Sequence, residues 1–314
     1  VNGCFSPDST FEESVLQVSN KIVDLSIEVW QKVKAKMLPT PVKFHYLFNI
    51  RDLSRVFQGV ILAAQPPKYE VPPAITGPAN ISGSEVITSA NILLALWMNE
   101  CGRVFSDKLI DIPDQTWFEK MLLKTVEEEF GDQTMEELKE GPECFCNFMR
   151  AAPLDPETGE ECGPAPKVYE PAPGGLHALR ETFVMPGMES YNEHHKSKKL
   201  NLVLFDDALN HVLRISRIIG MERGSALLVG VGGSGKQSLC RLASHIACYS
   251  IFQIQISKSY GVSQLFDDMR NLFQSVGVTG KPCTFIFTDA EVKEESFLEY
   301  LNTFLATGEI PNLM

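Results

Sequence analysis

From residue 226 to 238 the chain reads ALLVGVGGSGKQS, an apolar run that breaks into glycines and ends at a lysine. Gly230, four intervening residues, Gly235 and Lys236 reproduce the spacing G-x-x-x-x-G-K. Glycines at that spacing let backbone N–H groups approach an anion closely, and a helix starting behind them turns its positive end toward it. The chemistry served is a grip on nucleotide phosphates. The candidate binding residues are therefore Gly230, Val231, Gly232, Gly233, Ser234, Gly235, Lys236, Gln237 and Ser238. One position departs from the pattern: Gln237 stands where Ser or Thr would hold magnesium, and Ser238 comes one residue late.

The same glycines, Gly230, Gly232 and Gly235, also spell G-x-G-x-x-G, the dinucleotide fingerprint, which needs an acidic residue about 20 positions on to hold a ribose. From Ser225 to Phe266 there is no acidic side chain, and Lys236 serves no purpose in that reading. A purely structural glycine turn is the remaining alternative. A second element, the apolar run Phe285, Ile286, Phe287, ends at Thr288 and Asp289, and a carboxylate at such a strand end can hold magnesium or its water shell. Taken singly, Asp289 is equally readable as a turn residue. Ala290 occupies the place where a glutamate would polarise the attacking water, and Glu291, one residue further, is a weak catalytic candidate. Binding is better supported than hydrolysis. His211, His245 and Ser234 lack partners at ligand or nucleophile spacing.

These residues need a scaffold. The spacing predicts helices over 206–219, 236–247, 262–275 and 294–306, alternating with apolar strands over 226–230, 251–256 and 283–289. Short strands alternating with helices indicate an α/β domain, a parallel sheet covered on both faces. The first half reads differently. Apolar residues recur every three or four positions from Phe11 to Val33, and further helices are expected over 48–63, 88–105 and 114–130. Seven prolines between 151 and 190 mark a surface loop or linker, so the chain divides near 190.

With 314 residues and 44% hydrophobic content the chain can build a core, and length favours two domains. A net charge of -12, with no cationic cluster beyond the HHKSKK tract at 194–199, argues against nucleic-acid binding. That tract reads as a solvated linker. No apolar stretch reaches membrane-spanning length, so no membrane partner is expected. The eight cysteines show no paired zinc spacing and read as reduced core residues. The opening Val1 suggests a piece of a longer protein.

Taken together, PTPVKFHYLFNIRDLSRVFQGV at 39–60, LWMNECGRVFSDKL at 96–109, LNLVLFDDALNHVLRI at 200–215, GVGGSGKQSL at 230–239 and FIFTDAEVKEESFLEYLN at 285–302 resemble the motor region of dynein heavy chains, more closely the axonemal than the cytoplasmic type. The resemblance covers nearly all of the chain. It implies a P-loop (AAA+) fold in which 1–40 finishes the large domain of a third module, 41–150 is its helical small domain, 151–190 is a linker, and 191–314 is the large domain of a fourth module, ending before its sensor and lid. It implies ATP or ADP with Mg2+ at a mainly regulatory site within an ATP-driven, minus-end-directed microtubule motor. Leu202, Val203 and Leu204 would form the adenine-side wall, and Arg51 the small-domain arginine that reaches the preceding module's nucleotide. Arg51 is also readable as an ordinary helix-start residue. Partners would be the other AAA+ modules, intermediate and light chains, and microtubules through parts outside these residues, in a ciliary or flagellar axoneme. The competing reading is a structural spacer whose nucleotide site is empty.

Overall fold

The computed structural model describes residues 3–5, 10–65, 81–152, 154–155, 158–159, 165–311 and 313. It divides into two compact units, Val1–Leu179 and Arg180–Met314.

The first unit is helical. Helices α1 (Glu13–Lys36), α2 (Ile50–Ala64), α4 (Ala90–Phe105) and α5 (Ile112–Lys139) carry the pattern expected from their apolar spacing, and a single turn that the spacing does not predict, α3 (Gly83–Val86), lies between α2 and α4. Val15, Ile22, Val29 and Val33 of α1 enter the same core as Val56 and Val60 of α2, Leu93 and Trp97 of α4, and Phe118 and Val126 of α5. Helix α2 starts where its chemistry dictates. The Asn49 side chain accepts from Arg51 N at 2.9 Å, and Asp52 Oδ2 accepts from Asn49 N at 3.0 Å, so each satisfies an N–H left over by the helix start. Helix α5 runs beyond its expected end, through a kink at Gly131, whose φ of 81° lies in the left-handed region.

The proline-rich stretch is not loop throughout. Strand β1 (Phe145–Cys146) pairs antiparallel with β2 (Glu170–Pro171), and α6 (Gly175–Leu179) closes the first unit. In the second unit one π-turn, Arg180–Val184, leads into α7 (Met185–His194). Pro186 is the second residue of α7, directly behind the π-turn. Pro153, Pro156, Pro164 and Cys162 lie outside the described residues.

After α7 come α8 (Asp206–Ile219), α9 (Lys236–Ile246), β3 (Ser250–Phe252), α10 (Val262–Thr279), β4 (Cys283–Phe285) and α11 (Glu295–Thr307). Strands β3 and β4 pair in parallel, Ser250 opposite Cys283 and Phe252 opposite Phe285, as strands joined through a crossover helix must. Ile254, Leu265, Met269, Leu272 and Phe297 form a core beside this sheet.

The expected strands are longer than the observed ones, and no large central parallel sheet forms among the described residues. The segment 226–230 joins no ladder: Leu227 and Val229 are 90% and 87% exposed. Apolar alternation gives a chain the capacity for a strand, but the ladder needs a neighbouring edge, and the described residues bring none to this segment. Past Phe285 one further bond, Ile286 N to Phe252 O at 2.9 Å, extends the pairing before the chain turns away.

Candidate nucleotide-binding site

The glycine loop and α9 form one device. Gly233 and Gly235 have φ of 78° and 80°, a conformation in which any other residue would be strained, and Gly235 caps the helix that begins at Lys236. Leu239 N bonds to Gly235 O at 2.9 Å, so the N–H groups of Lys236, Gln237 and Ser238 at the helix start have no intrahelical acceptor and are available to an anion. A Cβ placed at Gly232 or Gly233 would meet nothing within 4 Å, so the crest of the loop is open. The Lys236 ammonium arches over it, donating to Gly230 O and Val231 O at 2.7 Å each and to Ser234 Oγ at 3.1 Å. Those weak acceptors are what a phosphate oxygen would replace.

The three residues of the expected apolar wall separate. Leu202 lies beside the loop, its Cδ2 3.7 Å from where a Cβ on Gly235 would stand. Leu204 is buried, whereas Val203 between them is 82% exposed, as period-two alternation of an extended chain requires.

Helix α9 is tied down from behind. Ser244 Oγ, buried, bonds to Thr284 Oγ1 of β4 at 3.0 Å. Arg241 donates to Gln253 Oε1, and Gln253 Nε2 donates in turn to Glu291 Oε1 at 2.9 Å. The other oxygen of Glu291 accepts from Thr288 N at 2.6 Å and from the Thr288 hydroxyl. This chain links the loop helix, the sheet and the turn carrying Asp289, and sequence reading missed it. Partners 12 and 38 positions apart leave no local signal in Arg241, Gln253 or Glu291. Glu291 is thus buried with both oxygens engaged. Asp289 starts the 3-10 turn Asp289–Glu291; its side chain is exposed and has no hydrogen-bond or ion-pair partner among the described residues. Ala290 is exposed beside it.

Arg51 belongs to the first unit, exposed in the first turn of α2. Cys144 and Cys146 are buried, their thiols pushed up to about 11 and about 12 chiefly by desolvation, which suits packing and not metal ligation. Among the described residues no group of three or more His, Cys, Asp or Glu side chains could hold a metal ion, and no helix is long and apolar enough to cross a membrane.

A glycine loop on a helix start, backed by a parallel strand pair, with a helical unit preceding it in sequence, is consistent with an AAA+-like fold. Comparison with known families agrees. Residues 200–314 match the family described as the P-loop containing dynein motor region D4, and residues 22–67 and 75–140 match the AAA+ lid domain. The chain matches the AAA+ D4 motor region of axonemal dynein heavy chains and is consistent with an AAA+ module of such a motor. It is 45% identical to mouse dynein axonemal heavy chain 5 over 99% of its length, and 44% identical to the dynein gamma chain of the flagellar outer arm of Chlamydomonas reinhardtii over 100%. The identity to the ciliary dynein beta chain of Heliocidaris crassispina is 38% over 95%. The chain spans 6% to 7% of the length of these relatives.

Proposed function

We propose that the second unit is the large domain of the fourth AAA+ module of an axonemal dynein heavy chain, and that its glycine loop binds ATP or ADP in a regulatory role within an ATP-driven microtubule motor of cilia or flagella. The helical first unit contains the small domain that precedes it, 41–150, after the end of that module's large domain at 1–40, with Arg51 the residue that would reach the preceding module's nucleotide. The observation that carries the reading is the Lys236 ammonium held by two carbonyls over a loop whose helix-start N–H groups have no intrahelical acceptor.

The residues present fit a magnesium nucleotide. Gly233 and Gly235 keep the loop crest free of side chains, Leu202 supplies an apolar neighbour, and the Asp289 carboxylate is free to hold magnesium through its water shell, with Ser238 as the hydroxyl candidate. Bound magnesium would offset phosphate charge. Turnover at this site is slow or absent. Ala290 has no group with which to orient water, and Glu291 spends both oxygens on Thr288 and Gln253. Nucleotide would then act by favouring one conformation of the ring over another, without a chemical cycle of its own.

The test is single-turnover hydrolysis in a full ring whose first and third sites are disabled by loop-lysine substitutions. Retained nucleotide with turnover far below about 1 per second supports the regulatory reading; turnover at typical ATPase rates of about 1 per second or faster overturns it. Absence of bound nucleotide would favour the structural-spacer reading, in which the fold persists around an empty site.

A further inference from the structure

The second unit contains a cationic cavity that the nucleotide loop does not share. It has a volume of about 550 Å³, within the ~300–1,000 Å³ of ordinary ligand sites. Its walls come from the end of α7, the 195–199 turn, α9 and β3. In a chain of net charge -12 this cavity gathers Lys196, Lys198 and Arg241, with His194 and His195 beside them, against the single carboxylate of Glu193.

The site is built. The Asn192 side chain donates to Leu200 O at 2.9 Å and accepts from Leu200 N at 2.6 Å, pinning both ends of the turn that carries the lysines. Lys198 N bonds to His195 O at 2.9 Å within it. Behind the turn, α7 lies so close to α9 that a Cβ on Gly187 would stand 2.7 Å from Ile246 Cγ1. His194 Nδ1 donates to Ser190 O at 2.7 Å, which leaves its Nε2 free. Arg241 uses one N–H on Gln253, and its guanidinium has five.

Tyr191 backs the cavity. Fully buried, it lines this cavity with its ring edge-on to His195 and His245, at centroid distances of 4.3 and 5.4 Å, and its hydroxyl has no hydrogen-bond partner among the described residues. Three cationic side chains around one cavity, one of them a guanidinium with N–H groups to spare, describe the recognition of a phosphate group.

We propose that this cavity binds a small polyphosphate anion, through Lys196, Lys198 and Arg241, as a second phosphate site separate from the 230–236 loop. Free polyphosphate and the tail of a nucleotide share this chemistry.

The experiment titrates tripolyphosphate, and separately ATP, without magnesium, into the chain carrying Lys236→Ala, which removes the lysine of the loop. Binding is read by calorimetry and by histidine ring NMR signals. Saturable binding that shifts the His194 and His195 signals, weakened about fivefold or more by Lys198→Ala, is the expected result. Lys196→Ala removes a second, exposed charge from the same wall. It should weaken binding severalfold without lowering thermal stability, which distinguishes loss of a ligand contact from damage to the fold. Equal affinity for the two ligands identifies free polyphosphate as sufficient; tighter binding of ATP adds a contact to the nucleoside. No response up to about 10 mM overturns the proposal, as does binding indifferent to both substitutions, or binding of a glutamate-rich peptide with no response to tripolyphosphate.

Discussion

Replacing Lys236 by Ala separates what the lysine does for the fold from what it does for the ligand. Its ammonium makes three contacts, two at 2.7 Å to Gly230 O and Val231 O and one at 3.1 Å to Ser234 Oγ. Gly230, Val231 and Ser234 are all exposed, so water replaces the lost donor and the stability change should be within about 1 kcal/mol. Gly233 and Gly235 hold the loop by their own backbone conformation and keep it in place without the lysine. A charge-assisted bond to phosphate contributes about 1.5–3 kcal/mol, which at about 1.4 kcal/mol per decade is roughly 10- to 100-fold in affinity. The measurement is a fluorescent ADP titration alongside thermal melts, on wild-type and Lys236→Ala heavy chains. Unchanged affinity would refute the loop as the phosphate grip, and collapse of the fold would refute the division of roles.

Further outcomes follow from the packing. Glu291→Ala strands Gln253 Nε2 and Thr288 N, each now bonded to that carboxylate, and should cost about 1–3 kcal/mol by denaturant titration; a selective loss of turnover at normal stability would instead make Glu291 catalytic. Gly59→Ala places a Cβ 2.0 Å from Glu100 Oε2, in a fully buried side chain, and should destabilise the helical unit by about 1–3 kcal/mol, with neutral stability refuting the close α2–α4 contact. His245 is held below the usual histidine pKa by burial first and then by His194 and His195, with Arg241, Lys196 and Lys198 in the same cavity wall. The unfolded chain therefore binds the proton more readily: stability is undiminished above about pH 6.5, falls as pH drops through that value, and levels off below the folded pKa. Melting from pH 7.5 to 5 should show this slope, and His245→Gln should reduce it.

What the sequence determined by itself was local. The helix periods, the Asn49 and Asp52 cap, the left-handed glycines of the loop and the start of α9 at Lys236 each follow from neighbours within a few positions, where backbone sterics and periodic burial act. The family was legible for the same reason, since its marks are contiguous strings. Tertiary structure decided the rest. Whether 226–230 forms a strand depends on an edge that its own residues cannot provide. The engagement of Glu291 depends on Gln253 and Arg241, brought to it by the crossover between β3 and β4. The HHKSKK tract reads as a solvated linker because charge is visible in a string, while the packing of α7 on α9 that sets Tyr191, Arg241 and two lysines around one cavity is not. Contacts between distant positions are fixed by the balance of many burials at once, and no short pattern records that balance.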